Sequence, residues 1–100
     1  MFLKQLVNFV TIRQDDGRDV MMKYMLTHRN PSTFGVLAEK HVMFDGEMCF
    51  EEECETRGSY NLQDALLIAQ VCTSGKVLPT TYLEIEEELC REQTVSLSEV

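Results

Sequence analysis

The sequence has no tryptophan and only three tyrosines among its 100 residues. It has two histidines, His28 and His41, and no G-x-S-x-G, H-E-x-x-H, Walker or G-x-G-x-x-G motif. Carboxylates are abundant, but a pair such as Glu51 and Glu53 lacks the aromatic side chains that a glycosidase uses to hold a sugar. These absences argue against an enzyme, and we expect neither a catalytic residue nor a cofactor.

Basic residues are scarce in the second half of the chain. Residues 45–100 have three Lys or Arg against thirteen Asp or Glu, whereas residues 1–44 have six against four. Because nucleic acids and anionic membranes are bound by cations that neutralise phosphates, we expect the protein to bind neither directly. No apolar run approaches the roughly 20 residues that span a bilayer, and no small-residue cleavage site follows the first ten residues. The expected protein is soluble and cytoplasmic.

The four cysteines, Cys49, Cys54, Cys72 and Cys90, have the spacing C-x4-C-x17-C-x17-C. Zinc sites repeat a close pair of ligands, whereas only the first pair is close here. If Cys49 and Cys54 lie on one strand, their odd separation sends them to opposite faces. We therefore interpret all four as reduced, small apolar residues and expect no metal ligand. A small metal-binding or thiol-dependent protein that uses these cysteines with His41 is the alternative.

Two Asp-Gly dipeptides between apolar segments predict β-hairpins with two-residue loops. A loop at Asp45-Gly46 places Phe44 opposite Glu47 and Lys40 opposite Glu51. This register predicts a largely apolar face suited to burial, made of Leu37, His41, Met43, Met48, Phe50 and Cys54. The face left for solvent would hold Lys40, Val42, Phe44, Glu47, Cys49, Glu51 and Glu53.

A two-residue loop at Asp16-Gly17 places Asp15 opposite Arg18. It sets Val7, Phe9 and Thr11 against Leu26, Tyr24 and Met22. Residues 2–10 also fit helical spacing, but the turn needs a partner for residues 19–27, which favours a strand from about Leu6 onward. Asn30-Pro31-Ser32 then separates the two hairpins.

The clearest helix is Leu62 to Ser74, with Asn61 as N-cap and Gly75 as the left-handed residue that ends it. Its apolar residues recur at helical spacing: Leu62, Ala65, Leu66, Ala69 and Cys72.

Residues 81–93 are ambiguous. A capping-box pattern at Thr81 and Glu84, and a face shared by Tyr82, Ile85 and Leu89, favour a helix. The alternating segment TTYLEIE fits a strand, so both remain open, with helix preferred because three consecutive glutamates form strands poorly. Residues 94–100 look like a flexible tail.

These elements predict a small α+β domain over residues 1–93. An antiparallel sheet of about four strands, from two Asp-Gly hairpins, would pack against the helix at 62–74, with a second acidic helix or strand at 81–93. One hundred residues can bury roughly 65% of their unfolded surface around one core.

The acidic residues concentrate in two runs, Glu47 to Glu55 and Glu84 to Glu92. Such runs attract a cationic partner, so we expect a non-enzymatic protein that binds a basic surface on another protein. Its partner-binding residues would be Glu47, Glu51, Glu53, Glu84, Glu86, Glu87 and Glu88. One specific form is a nucleic-acid mimic that inhibits a nucleic-acid-handling machine, as anti-restriction and anti-CRISPR proteins of phages and mobile elements do. A homodimer through a sheet edge or the methionine-rich strands is a further alternative.

Overall fold

The computed structural model describes residues 4–98, which form four strands followed by two helices. The strands are β1 (Lys4–Arg13), β2 (Asp19–Asn30), β3 (Thr33–Phe44) and β4 (Glu47–Glu55), and the helices are α1 (Leu62–Gly75) and α2 (Pro79–Arg91). Each strand pairs antiparallel with the next, so the sheet order is β1-β2-β3-β4. The α+β architecture is confirmed, with a strand at residues 4–13 and a helix over most of residues 81–93. Residues 2 and 3 of the helical alternative lie outside the described range.

Both helices pack on the same face of the sheet and share one core with it. Two buried tyrosines fasten the layers together, as the Tyr24 hydroxyl donates to the carbonyl of Val77 and the Tyr82 hydroxyl to that of Val36, each at 2.7 Å. These bonds satisfy hydroxyls that would otherwise be buried without a partner. The sheet contributes Met22, Tyr24, Leu26, Val36 and Ala38 to the core, and the helices contribute Ala65, Ile68, Ala69, Cys72, Tyr82 and Leu89.

The second hairpin has the predicted turn. Asp45 and Gly46 have φ angles of 50° and 81°, and Phe44 pairs with Glu47. The predicted register holds as far as His41 and Phe50 and then shifts, because Lys40 pairs with Glu52 instead of Glu51. A bulge of one residue reverses the faces of everything beyond it.

Because of the bulge, the faces predicted for two side chains of β4 are wrong. Cys54 pairs with Ala38 on the helix-covered face, and Glu53 pairs with Glu39 on the opposite face. Leu37, His41, Met43, Met48 and Phe50 do share a face, but it is the face that the helices leave open. The expectation that this face is the buried one is wrong, because the helices pack over Val36 and Ala38, one residue out of phase. Leu37 is the one buried residue of these five, at 5% exposed, whereas Phe50 is 55% exposed.

The first hairpin differs from the prediction by one residue. Its loop has three residues, Asp15 to Gly17, with Gln14 N–H donating to the Arg18 carbonyl and only Gly17 at positive φ. Asp16 instead uses its carboxylate to accept from the Arg18 N–H at 2.9 Å. Three-residue loops with one left-handed residue are a standard alternative to the two-residue turn.

The longer loop changes the pairing of β1 with β2. Thr11 pairs with Met21 and Phe9 with Lys23, so the predicted pairs with Met22 and Tyr24 are wrong. Phe9 and Thr11 consequently lie on the face without helices.

The helix ends are partly as predicted. The Asn61 side chain accepts from the Asp64 N–H at 2.8 Å and caps α1. Gly75 is the last helical residue, and Lys76 (φ 52°) takes the left-handed position assigned to Gly75. The capping box at Thr81 is also wrong, because α2 begins at Pro79, whose fixed φ suits the first helical position. Neither helix within residues 4–98 has the length and apolar character needed to cross a bilayer.

The described part of the expected tail, residues 94–98, packs against the body. Val95 is buried, and the Ser98 N–H donates to the Ser59 carbonyl at 2.7 Å. The Ser96 N–H donates to the Asp64 carboxylate. These contacts hold the chain after α2 against the start of α1.

Candidate protein-binding surfaces

The acidic residues concentrate on one side of the molecule. β4 is an edge strand with five glutamates and no basic residue, and α2 packs over β4 and β3 with four glutamates and Arg91. These two elements account for the whole formal charge of −8, because the rest of the chain has eight basic and eight acidic residues. The charge asymmetry is thus an acidic side on an otherwise neutral body.

Six of the seven predicted partner-binding glutamates are exposed on this side, and we call them the acidic edge: Glu47, Glu51 and Glu53 on β4, and Glu84, Glu87 and Glu88 on α2. Two have cationic neighbours, since Lys40 lies 3.5 Å from Glu51 and Arg91 lies 3.2 Å from Glu87. Among the described residues, no base lies within ion-pair distance of the other four. Most of the negative charge is therefore available to a partner.

Glu86 is the exception, because only 5% of it is exposed. Its carboxylate accepts from the backbone N–H groups of Arg57 and Gly58, both at 2.9 Å, and from the Tyr60 hydroxyl. Glu86 lies on the same side of α2 as Tyr82 and Leu89, which face the sheet. The expectation that Glu86 is displayed on the surface is wrong, since its charge is used to fix the loop between β4 and α1.

The buried carboxylate of Glu86 affects the pKa values of nearby side chains and borders a groove. Burial, helped by hydrogen bonds to Cys90 and Glu86, raises the pKa of Tyr60 above its ordinary value. Burial and the negative charge of Glu86 raise the pKa of Cys72 to about 12 and also raise the pKa of Cys54. A groove of about 500 Å³ opens beside Glu86, lined by Arg57, Gly58, Tyr60, Leu83, Glu87, Cys90 and Leu97.

The cysteines and His41 do not converge. Cys49 and His41 lie on opposite faces of the sheet, as predicted, and the bulge places Cys54 on the face away from His41 as well. Cys49 and Cys54 therefore share a face, and the expectation that their odd separation sends them to opposite faces is wrong, because the bulge adds one residue between them. Cys72 is buried in α1, while Cys90 lies on α2 beside Tyr60, with 3.3 Å between the thiol sulfur and the hydroxyl oxygen. Residues 4–98 contain no cluster of three or more side chains suited to a metal ion. The metal or thiol alternative gains no support from this arrangement.

A second candidate surface was not predicted as such. The sheet face opposite the helices, which we call the open face, receives no helix or loop from the described chain. Its rows across β1 to β4 are Leu6-Met25-Leu37-Glu55, Phe9-Lys23-Glu39-Glu53 and Thr11-Met21-His41-Phe50. Alternating apolar residues in long strands signalled this face, but the sequence did not show which face the helices would cover.

No protein-family model, no curated protein and no solved structure matches this chain.

Proposed function

We propose that this protein is a non-enzymatic, cytoplasmic interaction protein that uses the acidic edge to occupy a basic surface on a protein partner. The observation that carries the proposal is the confinement of the net charge to β4 and α2. A field of one sign on one side of a small body raises the rate of encounter with a cationic surface and orients it. Four free thiols fit a reducing compartment.

The specific form that we propose is nucleic-acid mimicry. Glu47 and Glu51 are four residues apart on β4, which is about 13 Å at the rise of a strand, a distance that a few successive phosphates span along a nucleic-acid backbone. Glu84, Glu87 and Glu88 on α2 add a second line of charge beside the strand. A basic channel for DNA or RNA would then be blocked, as expected of an anti-restriction or anti-CRISPR type of inhibitor.

Affinity capture from a lysate of the source organism tests the proposal. The wild-type chain is compared with Glu47→Lys with Glu51→Lys on β4, and with Glu84→Lys with Glu88→Lys on α2. We expect both variants to lose a partner that the wild type retains, because each reverses charge within the acidic edge. Glu47 and Glu51 are chosen because neither takes part in the rows of the open face.

The matched control carries the same change in net charge on α1, through Gln63→Lys, Leu66→Lys, Gln70→Lys and Ser74→Lys, all at exposed positions. We expect this control to retain the partner. We also expect added double-stranded DNA or RNA to displace the partner from the wild-type chain. Retention of every partner by both edge variants would contradict the proposal. Loss by the α1 control to the same extent would show that only total charge matters.

A further inference from the structure

The open face carries large apolar side chains that no part of residues 4–98 covers. Leu6, Phe9 and Phe50 are 51%, 53% and 55% exposed. Four half-buried methionines lie among them: Met21, Met25, Met43 and Met48. An apolar surface of this kind on a small protein marks an interaction site, and methionine adapts well to a facing surface.

The charged groups on this face are largely paired within the chain. Glu39 lies 3.8 Å from the Lys4 ammonium group and 3.1 Å from the His41 ring, and the side chains of Glu39 and His41 are only 12% and 15% exposed. Glu55 lies 3.4 Å from the Arg29 guanidinium group and also accepts from the Thr27 hydroxyl at 2.8 Å. Lys23 and Glu53 are the charged residues of the central row that have no ion pair within the described chain, so covering the face would leave few charges without a counter-charge.

Charge changes sign across the sheet. β1 has two basic residues and no acidic one, whereas β4 at the opposite edge has five acidic residues and no basic one. In the central row of the open face, Lys23 on β2 lies beside Glu39 on β3 and Glu53 follows on β4. The charges of the face are therefore complementary to those of a second copy in which the order of the strands is reversed from left to right.

We propose that the open face binds a second copy of this chain in a dimer whose two-fold axis runs parallel to the strands. This axis lays β1 of each copy over β4 of the other and β2 over β3, so that Lys23 faces Glu39 of the other copy. A two-fold axis perpendicular to the strands would instead lay β4 on β4, acid on acid. Like charges facing each other across an interface oppose binding, which selects the first arrangement.

The size of the face suits this partner. Four strands about 4.8 Å apart and ten residues long present a face of roughly 20 by 33 Å, or roughly 650 Å² in projection. Protruding side chains enlarge this area towards the ~800 Å² that each partner buries in a standard interface. Two such sheets would pack as an aligned sandwich about 10 Å apart.

Position 9 tests both the interface and its axis, because the two environments of Phe9 have opposite charge. Within one chain Phe9 pairs with Lys23, so glutamate at position 9 should favour the fold and lysine should not. In the dimer Phe9 lies over β4 of the other copy near Glu53, so the order is reversed. A folding defect cannot imitate this reversal.

The experiment is sedimentation equilibrium of the full chain over a range of concentrations, with circular dichroism to confirm folding. We expect a species of twice the 11.5 kDa chain mass. Phe9→Glu should raise the dimer dissociation constant at least about 100-fold and Phe9→Lys less than about 10-fold. Leu66→Glu, at a 41% exposed position on α1, is the matched control and should not change it.

The proposal is overturned by a wild type that stays monomeric at 100 μM or by assemblies that keep growing with concentration, which would indicate edge-to-edge pairing. It is also overturned if Phe9→Glu dimerises as well as Phe9→Lys or better. If either Phe9 variant fails to fold, Leu6→Glu and Leu6→Lys decide in its place, because Leu6 also lies on β1 and would face Glu55 of the other copy. The same order, with lysine tolerated and glutamate not, is required.

Discussion

The Tyr60 hydroxyl donates a hydrogen bond to the buried carboxylate of Glu86 and thereby joins the loop after β4 to the middle of α2. Two backbone N–H groups of the same loop, those of Arg57 and Gly58, converge on this carboxylate. A glutamate in an acidic run thus holds the second helix against the sheet. Its neighbours Glu84, Glu87 and Glu88 remain free to face solvent because Glu86 takes the inward position.

Replacing Glu86 should destabilise the protein although it lowers the negative charge. Glu86→Gln puts an amide N–H₂ group where a carboxylate oxygen accepts, so one donor is left facing another donor. Hydrogen bonds to a charged group are worth about 1.5–3 kcal/mol each, and we expect a loss of about 3 kcal/mol in the free energy of unfolding. Urea denaturation measures this loss. The matched change Glu88→Gln, at an exposed position, should shift stability by less than about 0.5 kcal/mol; equal effects would show that Glu86 is not structural.

Stability should fall in alkaline solution. Burial raises the pKa of Cys72 from its ordinary value near 9 to about 12 and raises the pKa values of Tyr24 and Tyr82 above theirs. Because the folded state holds these protons more tightly than the unfolded state, the stability they contribute is complete below pH 9. For Cys72 it is lost as pH rises from about 9 towards 12.

The slope of unfolding free energy against pH between 9 and 10.5, compared between the wild type and Cys72→Ala, isolates the contribution of Cys72 from that of the tyrosines. A fully buried group of this kind contributes a loss of up to about 1.4 kcal/mol per pH unit. Cys72→Ala should therefore flatten the slope, although it lowers stability at pH 7 by creating a cavity. Ala69→Gly, which also removes buried volume from α1 but no titratable group, should lower stability and leave the slope as in the wild type. An unchanged slope in Cys72→Ala would contradict the assigned burial.

The end of α1 offers a test that depends only on the sign of the effect. Gly75 is helical and Lys76 is left-handed, with a φ of 52°. Gly75→Ala should stabilise the protein by up to about 1 kcal/mol, because glycine is a poor helix former, and an added methyl group meets Val77 at an ordinary 3.4 Å. Lys76→Gly should also stabilise it by about 1 kcal/mol, since glycine is unstrained there. Thermal denaturation of both variants decides, and destabilisation by Gly75→Ala would place the left-handed residue at 75 after all.

The sequence predicts those features of this fold that depend on neighbouring residues. The Asp45-Gly46 turn is one example, because its two residues alone set the register from Phe44 to His41. The Asn61 cap is another, since it needs only the N–H of Asp64. The predicted register of the first hairpin is wrong because Asp16-Gly17 fits either a two-residue or a three-residue loop. A two-residue loop requires a positive φ at Asp16, and the sequence does not show whether Asp16 adopts it.

The rest depends on contacts far apart in the chain. The bulge at Glu51 has no turn residue to announce it, yet it exchanges the faces of Glu53 and Cys54. The acidic run on α2 gives no sign that Glu86 differs from Glu87 and Glu88, because the difference comes from a loop about 30 residues earlier. The side of the sheet that the helices cover is fixed by Val36 and Ala38 packing against α1 and α2. These are tertiary choices that a local pattern does not contain.

The most direct test of the acidic edge is the salt dependence of partner binding, measured by titration calorimetry with the captured partner at several sodium chloride concentrations. We expect the wild type and the α1 control with four lysines to share one steep dependence of affinity on salt. Glu84→Lys with Glu88→Lys, and Glu47→Lys with Glu51→Lys, should each bind at least about 10-fold more weakly and with a shallower dependence. If both edge variants keep the affinity and the salt dependence of the α1 control, the acidic edge is not the binding surface.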